Sequence, residues 1–537
     1  MVYIWQEPHF QIKLACLMRS YFTFVAAMLI ALLFAACDTA RKLSTNPVDD
    51  QIIELVFLHI NDVYEIAPLE NGKVGGMARV ATVFQQLQAE NPNTLFVHAG
   101  DFLNPSLLGT LKFEGQRIQG RQMVEVMNAS GVEVVAFGNH EFDLKAKDLL
   151  ARLDESDFTW ICANLRYLEN GRPVPFFKEK GGVRYKQPDY YIWEAKDADG
   201  TSVKVGIFGA TVPANPVDYV QYDDPYRKAQ EDYQALLAQT DVVVGLTHLE
   251  MIQDLKLAAL TPKAPLIMGG HDHDHQIDTV GRTVVAKADA NVKSAYIHRL
   301  KIDKRSGEVE LNSEWLPITD EIEAAPSVEA IVDKWKTIQD NAITQVVEDP
   351  YEVVYVTQQP LDGREATIRD HPTNLGTIIT ESALQASRNA AAASVINSGS
   401  VRIDDQLAGK VLAIDVFRCL PFGGELVDVR LKGSLLREVL DAGRANRGTG
   451  GYLMYSNIEY TSADKGTWLI EGEPVQGDRE YWIVTSDFLL TGLETRLDFF
   501  TPDNPGILEI DRPAKGDAGD LRSDIRRAVI DYLKKRR

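Results

Sequence analysis

Short aliphatic runs in the first half of the chain each lead to side chains that can ligate a metal ion. The run at residues 53–58 leads to Asp62, and the run at residues 94–97 leads to Asp101. Three later runs lead, in order, to Asn139 and His140, to His248, and to His271 and His273. Carboxylate oxygens and imidazole nitrogens together suit divalent transition metals. Two such cations roughly 3.5–4 Å apart can polarise a phosphoryl group and activate water, so this set predicts metal-assisted ester hydrolysis.

These side chains need elements that bring them together. The aliphatic runs alternate with helix-like segments, which is the pattern of a layered α/β domain. In open α/β sheets the loops that follow the carboxyl ends of the strands converge on one crevice. Five predicted strands therefore deliver their polar side chains to one place.

The length of the chain predicts two domains. At 537 residues it exceeds the size at which a single hydrophobic core stops growing. We assign residues 51–324 to a first domain and residues 348–537 to a second α/β domain. The charged, helix-compatible stretch at residues 325–347 predicts an interdomain helix, and a surface helix of either domain explains it equally well.

The charge balance bears on the partner. A formal net charge of -21 argues against a nucleic-acid polymer, because binding to a phosphate backbone needs clustered lysines and arginines. A small anionic substrate would need local positive charge, from metal ions or from a few arginines.

The N-terminal residues 1–37 have the order of a secretory signal. Arg19 precedes an apolar run at residues 21–34, and Cys37 follows two alanines. This end resembles a bacterial lipobox, which predicts an exported protein, periplasmic or at the cell surface, whose only membrane contact is a lipid on Cys37. The alternatives are an uncleaved anchor helix or a plain signal. Residues 38–50 would then be a tether.

Two further cysteines follow the predicted signal at residues 1–37. Cys162 and Cys419 fall in different predicted domains and neither has a CxxC partner. Two buried thiols are the simpler interpretation, and a disulfide is the alternative in an oxidising compartment.

The ligand motifs resemble a known family. Strings similar to those of calcineurin-like metallophosphoesterases are Asn61-Asp62, Gly100-Asp101, Gly138-Asn139-His140-Glu141-Phe142-Asp143, Thr247-His248 and Gly270-His271-Asp272-His273. The segment at residues 75–79, Gly-Gly-Met-Ala-Arg, resembles the 5'-nucleotidase branch. The resemblance covers nearly the whole chain after the leader. It implies an α/β fold, with an αββα four-layer metallophosphoesterase domain and a second α/β domain of the 5'-nucleotidase C-terminal type.

The resemblance also implies two divalent metal ions, which could be Zn, Mn, Co or Fe. By this resemblance Asp101 bridges them. The remaining implied ligands are Asp62 and His273 for one ion, and Asn139, His248 and His271 for the other.

The first motif departs from the family, because Tyr64 stands where the family usually has histidine. Tyr64 could ligate a metal, or water could take the position. A phenol with an unperturbed pKa of ~10 ionises only beside a strongly Lewis-acidic metal, so we favour a weak or absent contact. The departure leaves the identity of the metal open.

His140 and Asp143 form a candidate catalytic pair. An imidazole oriented by a carboxylate three residues later could stabilise the transition state or protonate the leaving oxygen. Support of the metal ligands is the alternative role.

The second half resembles the 5'-nucleotidase substrate domain through residues 373–376, 397–402 and 420–424. The resemblance implies that Arg402, with Arg369 or Arg364, grips phosphate or ribose. The other implied substrate residues are Asn397, Phe422 and Phe488, whose rings would sandwich a nucleobase, and Glu494, where the family has a ribose-contacting aspartate. Core packing is the alternative role of the two rings.

The sequence thus predicts hydrolysis of nucleoside 5'-monophosphates by a metal-activated hydroxide. A 2',3'-cyclic nucleotide phosphodiesterase with 3'-nucleotidase activity, a UDP-sugar hydrolase and an enzyme for another phosphate or sulfur ester are alternatives, because pocket loops decide among them. A surface lipoprotein that binds nucleotides without turnover is the alternative from a different class.

Overall fold

A computed structural model describes residues 49–214, 216–461, 466–515 and 517–537. The predicted signal, the lipid attachment at Cys37 and most of the predicted tether lie outside the described residues. Within the described ranges, no helix combines the length and the apolar character needed to cross a membrane.

The first domain contains two six-stranded sheets. In spatial order the first sheet has the strands Glu308–Pro317, Ser294–Asp303, Ile52–Ile60, Thr94–His98, Val134–Ala136 and Thr159–Ile161. The second has Tyr190–Lys196, Ser202–Thr211, Val242–His248, Leu266–Gly269, Thr283–Lys287 and Gln276–Val280. The four strands from Ile52–Ile60 to Thr159–Ile161 run parallel, as do the four from Ser202–Thr211 to Thr283–Lys287.

The two sheets pack face to face because their strands are apolar on both faces. Leu55 and Phe57 join a buried cluster that contains residues of both sheets, such as Val205 and Val244. The alternate residue Leu58 belongs to a second cluster on the opposite face of the first sheet. Successive side chains of a strand point to opposite faces, so each strand contributes to two layers.

Helices cover the outer faces. The first sheet is covered by Met77–Glu90, Arg121–Ser130, Ala146–Glu155 and Pro326–Ile343, and the second by Pro225–Leu237 and Met251–Leu260. This order of helix, sheet, sheet and helix confirms the predicted αββα layers. Most parallel sheets in proteins are covered on both faces in this way.

The helix Pro326–Ile343 corresponds to the charged stretch before the second domain. Its Trp335 is fully buried in the core of the first domain, and the indole nitrogen donates to Glu125 Oε2 at 2.9 Å. Its last residue, Ile343, packs in a core cluster of the second domain. The helix therefore completes one core and ends in the other.

The second domain is built on a five-stranded sheet, in the order Leu453–Ser456, Ala393–Asn397, Glu480–Ser486, Leu426–Lys432 and Ile507–Asp511. Val395 and Ile396 enter core clusters on opposite faces of this sheet. Its helices are Asn374–Ala386, Ala413–Cys419, Gly433–Ala445 and Ile525–Lys534, with the short helix Glu365–Ile368. Smaller sheets pair Val353–Asp362 with Gln406–Leu412, and join Ile458–Thr461, Thr467–Ile470 and Glu473–Pro474.

Short elements complete the first domain. They are the helix Leu107–Thr110, the hairpins Lys112–Phe113 with Gln116–Arg117 and Phe177–Lys180 with Val183–Lys186, and the three strands Leu165–Glu169, Arg172–Val174 and Val220–Tyr222. Cys162 and Cys419 are both buried and are free cysteines without a disulfide, as the simpler interpretation expects.

Ion pairs and apolar contacts join the two domains. Arg418 Nε lies 3.0 Å from Glu65 Oε1, and Lys293 Nζ lies 2.5 Å from Asp405 Oδ2. Leu107 of the first domain packs in a core cluster of the second. These contacts place residues of the second domain against the loops that follow the strands of the first.

Candidate metal centre

The metal-ligand candidates lie where strands of both sheets of the first domain end. Asp62, Asp101 and Asn139 follow Ile52–Ile60, Thr94–His98 and Val134–Ala136, whereas His248 ends Val242–His248 and His271 follows Leu266–Gly269. Parallel strands bring their carboxyl ends to one edge, which explains why residues so distant in sequence meet.

The backbone is unusual at three of these positions. Asp62, Asp101 and His271 have φ angles of 52°, 61° and 80°. Non-glycine residues rarely adopt this left-handed region, and each costs of order 1–3 kcal/mol, so such residues concentrate at functional sites. Gly138 shows how tightly the loops approach, because a Cβ there would lie 2.0 Å from Asp101 Oδ1.

Backbone N–H groups orient both carboxylates. The N–H of His140 donates to Asp101 Oδ1 at 2.8 Å, and the N–H of His271 donates to Asp62 Oδ2 at 2.9 Å. The second oxygen of each carboxylate is thereby left to face the histidine rings.

One group of ligands surrounds Asp101. Its Oδ2 lies 3.0 Å from His248 Nε2, and ligand atoms of Asp101, His248 and His271 all lie within 4.8 Å of one another. The other ring nitrogen of His248, Nδ1, is 2.7 Å from the carbonyl oxygen of Ala99 and donates to it. That hydrogen bond orients the ring so that Nε2 faces Asp101 Oδ2, and Nε2 would be a ligand once it is deprotonated.

A second group surrounds Asp62. His273 Nε2 lies 3.6 Å from Asp62 Oδ1. The hydroxyl of Tyr64 lies 3.2 Å from His273 Nε2, 3.5 Å from Asp62 Oδ1 and 3.4 Å from Asp101 Oδ2. Tyr64 therefore reaches the same oxygens and nitrogen that the resemblance assigns to one metal ion.

The donor set fits a site for two cations. Asn139 Oδ1 is buried and has no hydrogen-bond partner among the described residues. A buried carbonyl oxygen without a donor is unfavourable unless a cation or water satisfies it. The carboxylates, the imidazoles and this amide oxygen are the ligand types that divalent transition metals take. The role of each ligand stays a prediction.

The carboxylates and imidazoles of the centre shift one another's pKa values. Burial opposes the ionisation of Asp62, but the rings of His248 and His273 hold its pKa well below its usual range. Burial lowers the pKa of His248, and the carboxylates of Asp101 and Asp62 outweigh this and raise it to about 9. Burial and the neighbouring His248 lower the pKa of His271 to about 4. The centre thus combines ionised carboxylates with the protonated ring of His248 and the unprotonated ring of His271.

Tyr64 differs from the other members of the centre. Burial and the carboxylates of Asp101 and Asp62 raise the pKa of its phenol well above the ordinary value. A neutral phenol is a weaker ligand than a phenolate, and the weak contact that we favour from the sequence stays a prediction.

The candidate catalytic pair lies beside Asp101. His140 Nδ1 donates to Asp143 Oδ2 at 2.9 Å, and the side chains are 7% and 19% exposed. Asp143 Oδ2 also accepts from Asn104 Nδ2 and from Arg402 Nη2, each at 2.8 Å. Burial lowers the pKa of His140, but Asp101 and Asp143 raise it to about 10. His140 can therefore offer a proton or a positive charge to a reacting group.

Sequence reasoning overlooked Glu141. Its buried carboxylate accepts backbone N–H groups from four residues, Asp101, Phe102, Leu103 and Gly138, at 2.6–3.2 Å. Burial, followed by the charge of Asp101, raises its pKa to about 7. Glu141 holds together the two loops that carry Asp101 and Asn139. Its position within the motif at residues 138–143 could have indicated that Glu141 has a role in the site.

Lys287 was also overlooked. This fully buried lysine, at the end of Thr283–Lys287, donates to the carbonyl oxygen of Gly270 at 2.8 Å and to Asp272 Oδ2 at 2.5 Å. Its ammonium also lies 3.0 Å from the buried Asp254 Oδ2. Lys287 therefore fixes the loop that carries His271. A lysine at the end of an otherwise apolar run was the signal.

The candidate substrate residues of the second domain are distributed less compactly. Arg402 reaches the first domain through Asp143, and its Nη1 lies 3.5 Å from Glu365 Oε1. Arg369 pairs with the same Glu365. Arg364 instead pairs with Asp362, at 2.6 Å, and is about half exposed. The structure thus groups Arg369 with Arg402 and separates Arg364.

The remaining candidate substrate residues lie at one end of the strands of the five-stranded sheet. Asn397 ends Ala393–Asn397 and donates to Glu494 Oε2 at 2.9 Å. Phe488 follows the neighbouring parallel strand Glu480–Ser486, and its side chain is 41% exposed. Phe422 is 57% exposed. Two such exposed rings are available for stacking rather than for core packing.

The loops of the two rings are adjacent. The N–H of Asp487, next to Phe488, donates to the carbonyl oxygen of Glu425 at 2.9 Å, three residues after Phe422. The carbonyl oxygen of Pro421 in turn accepts from Thr110 of the first domain at 3.2 Å. The exposed rings therefore belong to a surface that borders the first domain.

Two family models match the chain. The calcineurin-like phosphoesterase model matches residues 55–275, and the model of the 5'-nucleotidase C-terminal domain matches residues 353–501. Between them they account for most of the described chain, and they follow one another in the order of the two domains.

Relatives and solved structures agree with these models. The trifunctional nucleotide phosphoesterase protein YfkN of Bacillus subtilis is 26% identical over 78% of this chain, which spans only 29% of that relative. The 5'-nucleotidase of Bos taurus is 25% identical, with 82% of this chain and 83% of the relative covered. The crystal structure of a 5'-nucleotidase precursor from Thermus thermophilus matches with a TM-score of 0.62 and 24% identity, over 90% of this chain and 96% of that one.

The two models, the relatives and the metal-ligand set support the enzymatic interpretation over a nucleotide-binding protein without turnover. The chain is a metal-dependent phosphoester hydrolase and belongs to the 5'-nucleotidase family of calcineurin-like metallophosphoesterases.

Proposed function

We propose that this protein releases phosphate from nucleoside 5'-monophosphates outside the cytoplasm. The observation that carries the proposal is the contact between Arg402 of the second domain and Asp143 of the first. It puts a guanidinium, which binds phosphate oxygens well, beside the candidate catalytic histidine and the metal ligands.

The cations would be held by Asp62, Asp101, Asn139, His248, His271 and His273, all in loops or strand ends of the first domain. Such ions supply Lewis-acid stabilisation of phosphoryl oxygens and lower the pKa of water. Zn, Mn, Co and Fe are all compatible with this mixture of oxygen and nitrogen donors.

The residues around the centre have complementary tasks. His140, held by Asp143, donates a proton to the leaving oxygen or stabilises negative charge on the phosphoryl group. Arg402, supported by Glu365, binds a phosphate oxygen, and Arg369 extends the positive surface. The leaving group is therefore directed toward the second domain.

The second domain supplies the recognition of the nucleoside. Phe422 and Phe488 expose their rings from adjacent loops, and a base between two rings gains ~1–3 kcal/mol per stacking contact. Asn397 and Glu494, joined by a hydrogen bond, offer an amide and a carboxylate to ribose hydroxyls. This combination favours a nucleotide over a small phosphate ester.

A second candidate is a broader nucleotide phosphoesterase that also cleaves 2',3'-cyclic nucleotides. One relative carries the name trifunctional nucleotide phosphoesterase, and the same metal chemistry serves several phosphoesters. A UDP-sugar is the further alternative, since it shares the base and ribose.

A substrate panel tests the proposal. The protein is stripped with a chelator, reconstituted separately with Mn²⁺, Co²⁺ or Zn²⁺, and assayed on AMP, UMP, 2',3'-cyclic AMP, UDP-glucose and p-nitrophenyl phosphate. The highest kcat/KM is expected for a nucleoside 5'-monophosphate. A higher value for the cyclic nucleotide or the UDP-sugar would replace the proposed substrate, and no hydrolysis of any phosphoester with any metal would refute the proposal.

We also propose that the protein is exported and anchored by a lipid on Cys37, because the residues before it follow the order of a lipoprotein signal. Cys37→Ser is expected to block lipidation and to leave the precursor unprocessed. Intact-mass spectrometry of the wild type and the variant measures this. The same mature, unlipidated mass in both would exclude the lipid anchor.

A further inference from the structure

Residues 402–405 of the second domain reach three parts of the first domain. Arg402 Nη2 lies 2.8 Å from Asp143 Oδ2. The carbonyl oxygen of Asp404 lies 2.8 Å from His273 Nδ1, and Asp405 pairs with Lys293 at 2.5 Å. This short segment thus contacts Asp143, which pairs with the candidate catalytic histidine, and His273, a candidate metal ligand. It also contacts Lys293, directly before the strand Ser294–Asp303.

The contact with His273 determines which ring nitrogen can ligate. A carbonyl oxygen only accepts hydrogen bonds, so His273 Nδ1 carries the proton. In the neutral ring His273 Nε2 then keeps its lone pair, and it lies 3.6 Å from Asp62 Oδ1. Outer hydrogen bonds of this kind fix the tautomer and the orientation of ligating histidines.

The carbonyl group of Asp404 is itself held in place. Asp404 has a φ of 41°, a region that aspartate and asparagine tolerate better than most residues. Its Oδ1 accepts from the N–H of Glu365 at 2.6 Å, at the start of the helix Glu365–Ile368. The side chain therefore fixes the backbone turn that presents the carbonyl oxygen to His273. Its other oxygen, Oδ2, also lies 3.5 Å from His273 Nδ1.

We propose that Asp404 is a positioning residue of the metal centre, so that the second domain sets the affinity of the first domain for the cation at His273. The inference rests on the proposed two-cation site. It assigns to the second domain a task besides substrate recognition, because the carbonyl oxygen of Asp404, held in place by the turn, fixes the tautomer and the orientation of the His273 ring.

Binding of Mn²⁺ alone tests this assignment. Full-length wild type, Asp404→Ala, Asp404→Asn and the control Asp478→Ala are stripped with a chelator and titrated with Mn²⁺ by calorimetry. Asp478 is an exposed residue of the same domain, in the turn before Glu480–Ser486. Thermal unfolding of each metal-free protein is recorded, so that loss of fold is recognised. Should Asp404→Ala not fold, Asp404→Gly, which accepts the positive φ, takes its place.

Asp404→Ala is expected to weaken one of two Mn²⁺ binding events by about 10–100-fold and to spare the other. Asp404→Asn keeps the acceptor for Glu365 but removes the charge beside His273 Nδ1, so it separates the effect of the turn from that of the charge. If the turn positions His273, Asp404→Asn should bind both ions like the wild type, as should Asp478→Ala. Unchanged binding by Asp404→Ala, or equal weakening in Asp404→Asn, would overturn the positioning role. A wild type that binds fewer than two Mn²⁺ ions would instead refute the two-cation site on which the proposed function depends.

Discussion

The metal centre of the first domain and the substrate surface of the second differ in how firmly their side chains are held. Asp62, Asp101 and His248 are fully or almost fully buried, and the protein fixes one atom of each by hydrogen bonding to the backbone. Phe422 and Phe488 are 57% and 41% exposed. In the proposed function, chemistry of the reacting phosphate therefore relies on a preorganised centre, whereas recognition of the nucleoside relies on surfaces that a ligand must complete.

The two regions nevertheless meet at residues 402–405. Arg402 touches Asp143, and Asp404 touches His273. In the proposed function, the second domain therefore contributes to the metal centre as well as to the selection of the substrate. We expect substitutions in the buried centre to affect every substrate, and substitutions of the exposed rings to affect nucleotides alone.

The largest effect is expected at the proposed bridging carboxylate. Asp101→Ala should lower kcat/KM for AMP and for p-nitrophenyl phosphate alike, by roughly 10³-fold or more, since Lewis-acid stabilisation contributes several kcal/mol. Bound metal, measured by inductively coupled plasma mass spectrometry, should fall as well.

Asp278→Ala is the matched control, because Asp278 is an exposed aspartate of the same domain. It should keep its metal content and its activity. Near-native turnover by Asp101→Ala would contradict the two-metal interpretation.

A smaller loss, confined to turnover, is expected at His140. His140→Gln should reduce kcat by ~10²–10⁴-fold for both substrates, because a positioned acid or base contributes about that much. Its metal content should stay at the wild-type level. If metal content falls in parallel with kcat, His140 supports the ligands and is not catalytic.

The layered fold of the first domain and its candidate ligands could be predicted from the sequence, because each candidate ligand ends or follows a strand. Asp62, Asp101 and Asn139 stand just after aliphatic runs, and both their order and the layered fold could be inferred from those runs. The first and last residues of the strands were predicted less accurately. The run at residues 132–137, for example, forms the shorter strand Val134–Ala136.

The support around the ligands could not be predicted in the same way. His273 and Asp404 are 131 positions apart and come from different domains, so no local periodicity links them. Lys287 reaches the carbonyl oxygen of Gly270 through tertiary folding alone. The sequence likewise left open whether Arg364 or Arg369 lies beside Arg402. The answer depends on which carboxylate each arginine pairs with, and this pairing is a property of the folded chain.

The smallest and most selective effect is expected when both exposed rings are removed. Phe422→Ala combined with Phe488→Ala should lower kcat/KM for AMP by about tenfold or more, if each stacking contact contributes ~1–3 kcal/mol. Hydrolysis of p-nitrophenyl phosphate, which has no nucleobase, should change little. Tyr185→Ala, which removes a comparably exposed ring of the first domain, should alter neither substrate.

The ratio of kcat/KM for AMP to kcat/KM for p-nitrophenyl phosphate, compared between the wild type and this double variant, tests the central claim most directly. The ratio isolates recognition of the nucleoside from damage to the metal centre. We predict that it falls by about tenfold or more while the aryl phosphate value is retained. An unchanged ratio, whether both values fall together or neither falls, would contradict the assignment of nucleoside recognition to the second domain.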